Sequence, residues 1–189
     1  MQTPTDKVLA ARLDMALLKS DILAAPLVAD RMVDRHWQEI PARLLADLLD
    51  DTEDPRAALQ PTEQALGLPS TSLASAMKMT LDWLAYLIVE GLIKAPDVRS
   101  ACWALTRIGR PAEADIPLDP PLSELRSQIY WWMDDCSELP PMEYAETLHK
   151  SFEAMLATCQ TILTSPDWSY HGWPTRVLTD TALLTTLHT

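Results

Sequence analysis

The stretch SLASAMKMTLDWLAYLIVEG, residues 72–91, decides the fold. Within it Leu73, Met77, Leu81, Leu84 and Ile88 recur at spacings of 4, 4, 3 and 4, the period of a helix with one apolar face. Trp83, Tyr86 and Leu87 widen that face until most of the circumference is apolar. A helix of this kind belongs in the middle of a bundle. Ser70 or Ser72 stands where an N-cap is needed, and Gly91 follows the expected end at Glu90. The apolar run from Leu81 to Ile93 carries Asp82 and Glu90 and is shorter than the ~20 residues a membrane span requires.

Composition agrees. The 189 residues include 30 Leu and 23 Ala, against 14 Val plus Ile and only 4 Gly. Leu and Ala lead the helix scale, whereas β-branched residues favour strands. The expected class is all-α, a single compact multi-helix domain of about eight or nine helices. Hydrophobic residues at 48% exclude a disordered acidic tail, and the length suffices for a real core.

Upstream of the central helix, a first helix is predicted from about Asp6 to Lys19, with Leu9, Leu13, Ala16 and Leu17 on one face. A second spans about Asp21 to Trp37 and either starts or kinks at Pro26. Pro41 opens a short helix to about Asp50. Pro55 opens another, with Asp54 placed to cap it and Gly67 to end it. Downstream, a helix runs from Asp97 to Gly109. The connector RPAEADIPLDPP (110–121) then packs four prolines into twelve residues.

Beyond it, Leu122, Leu125, Ile129, Trp132 and Cys136 form a stripe. Ala145, Leu148, Phe152, Met155, Cys159 and Ile162 then repeat at 3, 4, 3, 4, 3. This predicts an antiparallel hairpin of helices 122–136 and 142–164. SPDWSYHGWP (165–174) reads as an aromatic loop, and Thr175–Leu187 as a last short helix. The expected organisation is therefore 1–110 around the central helix 72–90, a 111–121 connector, and a hairpin plus aromatic tail over 122–189, packed together as one domain.

The net charge of −12 is unevenly placed. Residues 1–69 carry 12 acids and 7 bases, 70–110 carry 3 and 5, and 111–165 carry 10 and 2. The near-neutral middle reads as the buried centre between two acidic parts. Cys102, Cys136 and Cys159 are widely spaced and fall on apolar helix faces, so reduced core thiols are expected, with neither disulfide nor zinc.

Two acidic clusters follow apolar helices: Asp50, Asp51, Glu53 and Asp54 after LLADLL, and Asp134, Asp135 and Glu138 after IYWWM. Both fall at expected helix C-termini, where the macrodipole disfavours extra carboxylates by up to ~1 kcal/mol. The DDxx(D/E) pattern, present twice, is similar to the aspartate-rich motif of prenyl-diphosphate and terpene synthases. That similarity implies Mg²⁺ held by Asp50, Asp54, Asp134, Asp135 and Glu138, gripping a diphosphate. It covers two five-residue strings, and Arg126 and Lys150 are the only Lys or Arg between 111 and 165 to hold such a substrate. The plainer expectation is a pair of solvated helix ends available to a basic partner.

Glu146 and His149 share the E-x-x-H spacing of di-iron bundles, but no second copy exists, and Glu146 with Lys150 forms an ordinary i,i+4 pair. Thr62–Met79 resembles a helix-turn-helix in its spacing, yet its second helix has Lys78 as its only base, too little for phosphate contacts. Neither a nucleophile elbow nor a glycine-rich phosphate loop occurs. Trp83, Trp103 and Trp132 belong with the core. Trp131 diverges from Trp132 by about 100° on the helix, and Trp168, Tyr170, His171 and Trp173 sit in a loop that either folds back or presents anchors to a partner.

The expected function is a non-enzymatic cytoplasmic protein-binding module (adaptor, inhibitor or immunity-type) needing no cofactor. Asp50, Asp51, Asp54, Asp134, Asp135 and Glu138 would engage a basic partner, anchored by Trp131, Trp168, Tyr170 and Trp173. Self-association is compatible with this; direct nucleic-acid or membrane binding is not expected. The alternatives are a Mg-dependent enzyme acting on a diphosphate, and an inhibitor that mimics nucleic acid.

Overall fold

The computed structural model describes residues 4–20, 32, 35–36, 38–49, 56–93, 116–134 and 141–179. Among them are seven helices and no strand: α1 (Pro4–Ser20), α2 (Ala42–Leu49), α3 (Arg56–Ala65), α4 (Leu73–Val89), α5 (Pro120–Asp134), α6 (Pro141–Thr164) and α7 (Thr175–Leu178). The protein is all-α, as the Leu and Ala content requires.

Local chemistry sets the helix limits. Pro4, Pro120 and Pro141 stand at the first position of α1, α5 and α6, where the missing N–H and the preset φ cost nothing. Ser72 caps α4, its Oγ accepting the Ser75 N–H at 3.1 Å. Gly91, in the left-handed region at φ +67°, follows the end of the same helix.

α4 occupies the middle, packed on α1 along one side and on α6 and α5 along another, while α3 and α7 lie against α1. From Leu81 to Ile88 every residue of α4 is buried, as the broad apolar face predicts. Leu73 departs from that expectation. It is the first residue of α4 and is 41% exposed. Leu122, Leu125 and Ile129 of α5 and Met155, Cys159 and Ile162 of α6 are buried along their predicted stripes. Gln128 Nε2 donates to Thr158 Oγ1 at 3.1 Å between these two helices. Trp83 is fully buried and donates its indole N–H to Leu178 O at 2.9 Å.

The 165–174 loop folds back onto the bundle. The Tyr170 hydroxyl donates to Met79 O at 2.6 Å, and Trp168 stacks on Tyr86 of α4 with ring centroids 6.1 Å apart. Arg12 of α1 lies over Trp173. Together with α7, this segment straps α4 to α1. α7 ends at Leu178 with Thr179 as its C-cap, short of the expected end at Leu187. The helices expected over 21–37 (beyond Met32, Arg35 and His36) and 97–109, residues 180–187, and Cys102 and Cys136 lie outside the described residues.

Candidate functional site

Among the described residues four carboxylates are buried, and each meets a base. Asp6 receives Arg176 through two bonds, from Nε at 2.9 Å and Nη2 at 2.8 Å. Arg35 Nη1 lies 3.4 Å from Asp14. Lys19 Nζ is 2.8 Å from Glu63 Oε2 and also donates to Thr71 O at 2.7 Å. Lys78 Nζ is 2.6 Å from Asp82 Oδ2. A buried carboxylate without a partner would cost several kcal/mol, so these pairings are conditions of folding at neutral pH.

The fourth pair borders a cleft of about 260 Å³ between α4, the start of α5, the end of α6 and the 165–169 turn. Helical spacing puts Lys78 and Asp82 one turn apart on the same face of α4. Asp82 is 1% exposed, and its Oδ2 also accepts the Ser169 N–H at 2.8 Å. Lys78 donates further to Asp167 O at 2.7 Å and Ser169 Oγ at 3.4 Å. All three ammonium protons are thus used within the protein. Leu122 and Ile162 supply apolar wall and Trp168 an indole wall, while the exposed Asp119 and Asp167 stand at the opening.

Electrostatically the cleft holds three carboxylates against one ammonium. Burial, and after it the Asp82 charge, pushes the Tyr170 phenol well above its ordinary value, which keeps the hydroxyl a donor to Met79 O. Among the described residues no group of three or more His, Cys, Asp or Glu is arranged to hold a metal ion.

The aromatic residues expected to anchor a partner are placed unevenly. Tyr170 is 1% exposed and is corrected to a core residue, since its hydroxyl finds its acceptor inside the bundle. Trp131, Trp168 and Trp173 are half-buried and pack against the core, each keeping some accessible surface. Asp50, Asp51, Asp54, Asp135 and Glu138 lie outside the described residues, and Asp134 is the last residue of α5. Of the described candidates, Trp168 alone lines the cleft. Glu146 and Lys150 form the expected surface pair at 2.6 Å, and His149 lies 3.4 Å from Glu153.

Sequence reading missed Lys78, Asp82, Asp119 and Asp167 as a group. A signal existed for the first two: an i,i+4 Lys–Asp pair inside the most apolar helix of the chain has no bland place to go. Comparison of the chain with protein-family models, with curated proteins and with solved structures gives no match.

Proposed function

We propose that the protein is a non-enzymatic intracellular binding module, of adaptor, inhibitor or immunity type, that engages a basic protein surface through its acidic exterior. The observation that carries this reading is the fate of the bases. Lys19, Arg35, Lys78 and Arg176 are each committed to a buried carboxylate. Removing those four pairs from 27 acids and 15 bases leaves 23 against 11, so the whole −12 rests on the remaining charged groups. Glu124, Glu146 and Glu153 lie exposed on α5 and α6. Such an excess steers oppositely charged proteins and repels nucleic acid.

The reading places the complete chain at eight or nine helices, with 122–136 and 142–164 as a hairpin. Contact between α5 and α6 supports that arrangement. The diphosphate alternative draws no support from the cleft, where three carboxylates would repel a phosphate group.

The test is affinity capture on the immobilised chain from its native host at low salt, followed by a salt gradient. A strongly basic protein that elutes as salt rises is expected. Its capture should fall in a Glu124→Lys/Glu146→Lys/Glu153→Lys variant that keeps its helical circular dichroism. Recovery of nothing at low salt, or capture indifferent to both salt and charge reversal, refutes the reading.

A further inference from the structure

Donors and acceptors around the cleft are unequally supplied. On the donor side, Lys78 already serves Asp82 Oδ2, Asp167 O and Ser169 Oγ. The N-terminus of α5 would ordinarily offer free N–H groups, yet here it offers none to the cleft. Pro120 and Pro121 have no N–H, and those of Leu122 and Ser123 both turn back to Asp119 O, at 3.0 and 2.9 Å. The Trp168 indole N–H points to Asp82 O at 3.4 Å. Among the lining side chains the Ser165 hydroxyl is the one neutral donor left, its oxygen accepting the Asp167 N–H at 3.2 Å.

The acceptor side is open. Asp82 Oδ1 accepts no hydrogen bond among the described residues, although its carboxylate is 99% buried and borders the cleft. The Asp119 and Asp167 carboxylates carry neither hydrogen bond nor ion pair among the described residues. A complementary occupant therefore brings several donors and positive charge. It also brings an apolar stem for Leu122 and Ile162 and a flat group able to lie against an indole. Anions are refused on both charge and donor count.

Size narrows the choice further. At about 260 Å³ the cleft is smaller than the ~300–1,000 Å³ of sites for drug-sized ligands and cofactors, and suits one side chain. Arginine meets every requirement: five N–H donors, weak hydration, a three-carbon stem and a planar head that stacks on aromatic rings. Lysine offers three donors on a more strongly hydrated point charge, a poorer match to acceptors spread between a buried Asp82 and an exposed Asp119 and Asp167.

We propose that this cleft receives the guanidinium of an arginine side chain from a basic protein partner, with Asp82, Asp119 and Asp167 as acceptors and Trp168 as the stacking wall. The proposal rests on the protein-binding reading above, and its test separates the two. The full chain is titrated with n-butylguanidinium at constant ionic strength, reading the Trp168 indole ¹H–¹⁵N resonance, assigned through Trp168→Phe. Butyrate and n-butanol serve as controls.

A saturable millimolar shift centred on Trp168 is expected, about tenfold weaker in Asp119→Asn/Asp167→Asn, whose substitutions are exposed and leave the core intact. No saturable shift, an equal response to butyrate, or undiminished binding by the double variant overturns it. The same double variant then enters the capture experiment. A partner held equally well by that variant overturns the arginine assignment and leaves the protein-binding reading standing. Absence of any partner beside a positive titration does the reverse.

Discussion

Replacing Asp82 with alanine removes the acceptor that joins α4 to the 165–169 turn. Two bonds go: Lys78 Nζ to Oδ2 at 2.6 Å and Ser169 N–H to Oδ2 at 2.8 Å. The first joins a charged donor to a charged acceptor, a class worth about 1.5–3 kcal/mol. Because the Lys78 side chain is 28% exposed, solvent screens it and the lower end applies. Leaving the Ser169 N–H without an acceptor adds about 1–2 kcal/mol. Release of a buried carboxylate from its desolvation cost offsets part of both.

The net expectation is a loss of about 2–3 kcal/mol. At roughly 2–4 °C per kcal/mol for a chain of this size, Tm falls by roughly 4–12 °C. Asp82→Asn keeps an acceptor for Ser169 and gives up only the charge, so about half the loss is expected. Thermal and urea unfolding would be followed by circular dichroism at 222 nm and by tryptophan fluorescence, with coincident midpoints as the check on two-state behaviour. The reasoning is refuted if Asp82→Ala costs under about 1 kcal/mol, or if the asparagine variant is as damaging as the alanine one.

Two further outcomes follow from buried titratable groups. Burial holds the His36 imidazole below its usual 6.5, with Arg35 and Lys7 acting in the same direction and Glu39 against them; between the folded value and 6.5 the unfolded chain binds a proton that the native state refuses. Stability should therefore fall as pH drops below about 6.5 and be fully present above it, by at most ~1.4 kcal/mol per unit of pKa separation; a pH series on wild type and His36→Gln should show that slope reduced in the variant. The Cys159 thiol is fully buried and pushed up to about 12 by desolvation, so it should resist a thiol reagent at pH 8 in the native state and react promptly in denaturant; fast native labelling that maps to Cys159 would contradict its placement.

Much of the fold is legible in the sequence because its punctuation is chemical and local. Pro41 and Pro120–Pro121, Ser72, Gly67 and Gly91 act through their own backbone or a neighbour within four residues, and the observed limits of α1 to α6 fall within about two residues of the expected ones. The stripe from Met77 to Ile88 is legible for the same reason. The site is not, because its parts meet across the chain. Nothing near Asp6 announces that its base is Arg176, 170 residues away. Nothing near Tyr170 tells whether its hydroxyl finds Met79 O, 91 residues upstream, or water. An aromatic loop of amphipathic side chains is equally at home packed or presented, so periodicity is silent there. Asp82 did leave a local signal that went unread: a charge in the most apolar helix needs a reason, and Lys78 one turn before it supplies the partner.

The strap over residues 165–179 also has a consequence in time. Its bonds to α1 and α4 span 86 to 170 residues. At roughly 5–20 residues per second, about 8–34 s of synthesis separates Asp6 from Arg176. During that interval the segment of α1 has already been made, Arg176 is not yet there for Asp6, and the face that the strap will close is uncovered. The nascent chain must therefore wait with an unfinished core, open to chaperones or to a premature neighbour, until its own late segment closes it.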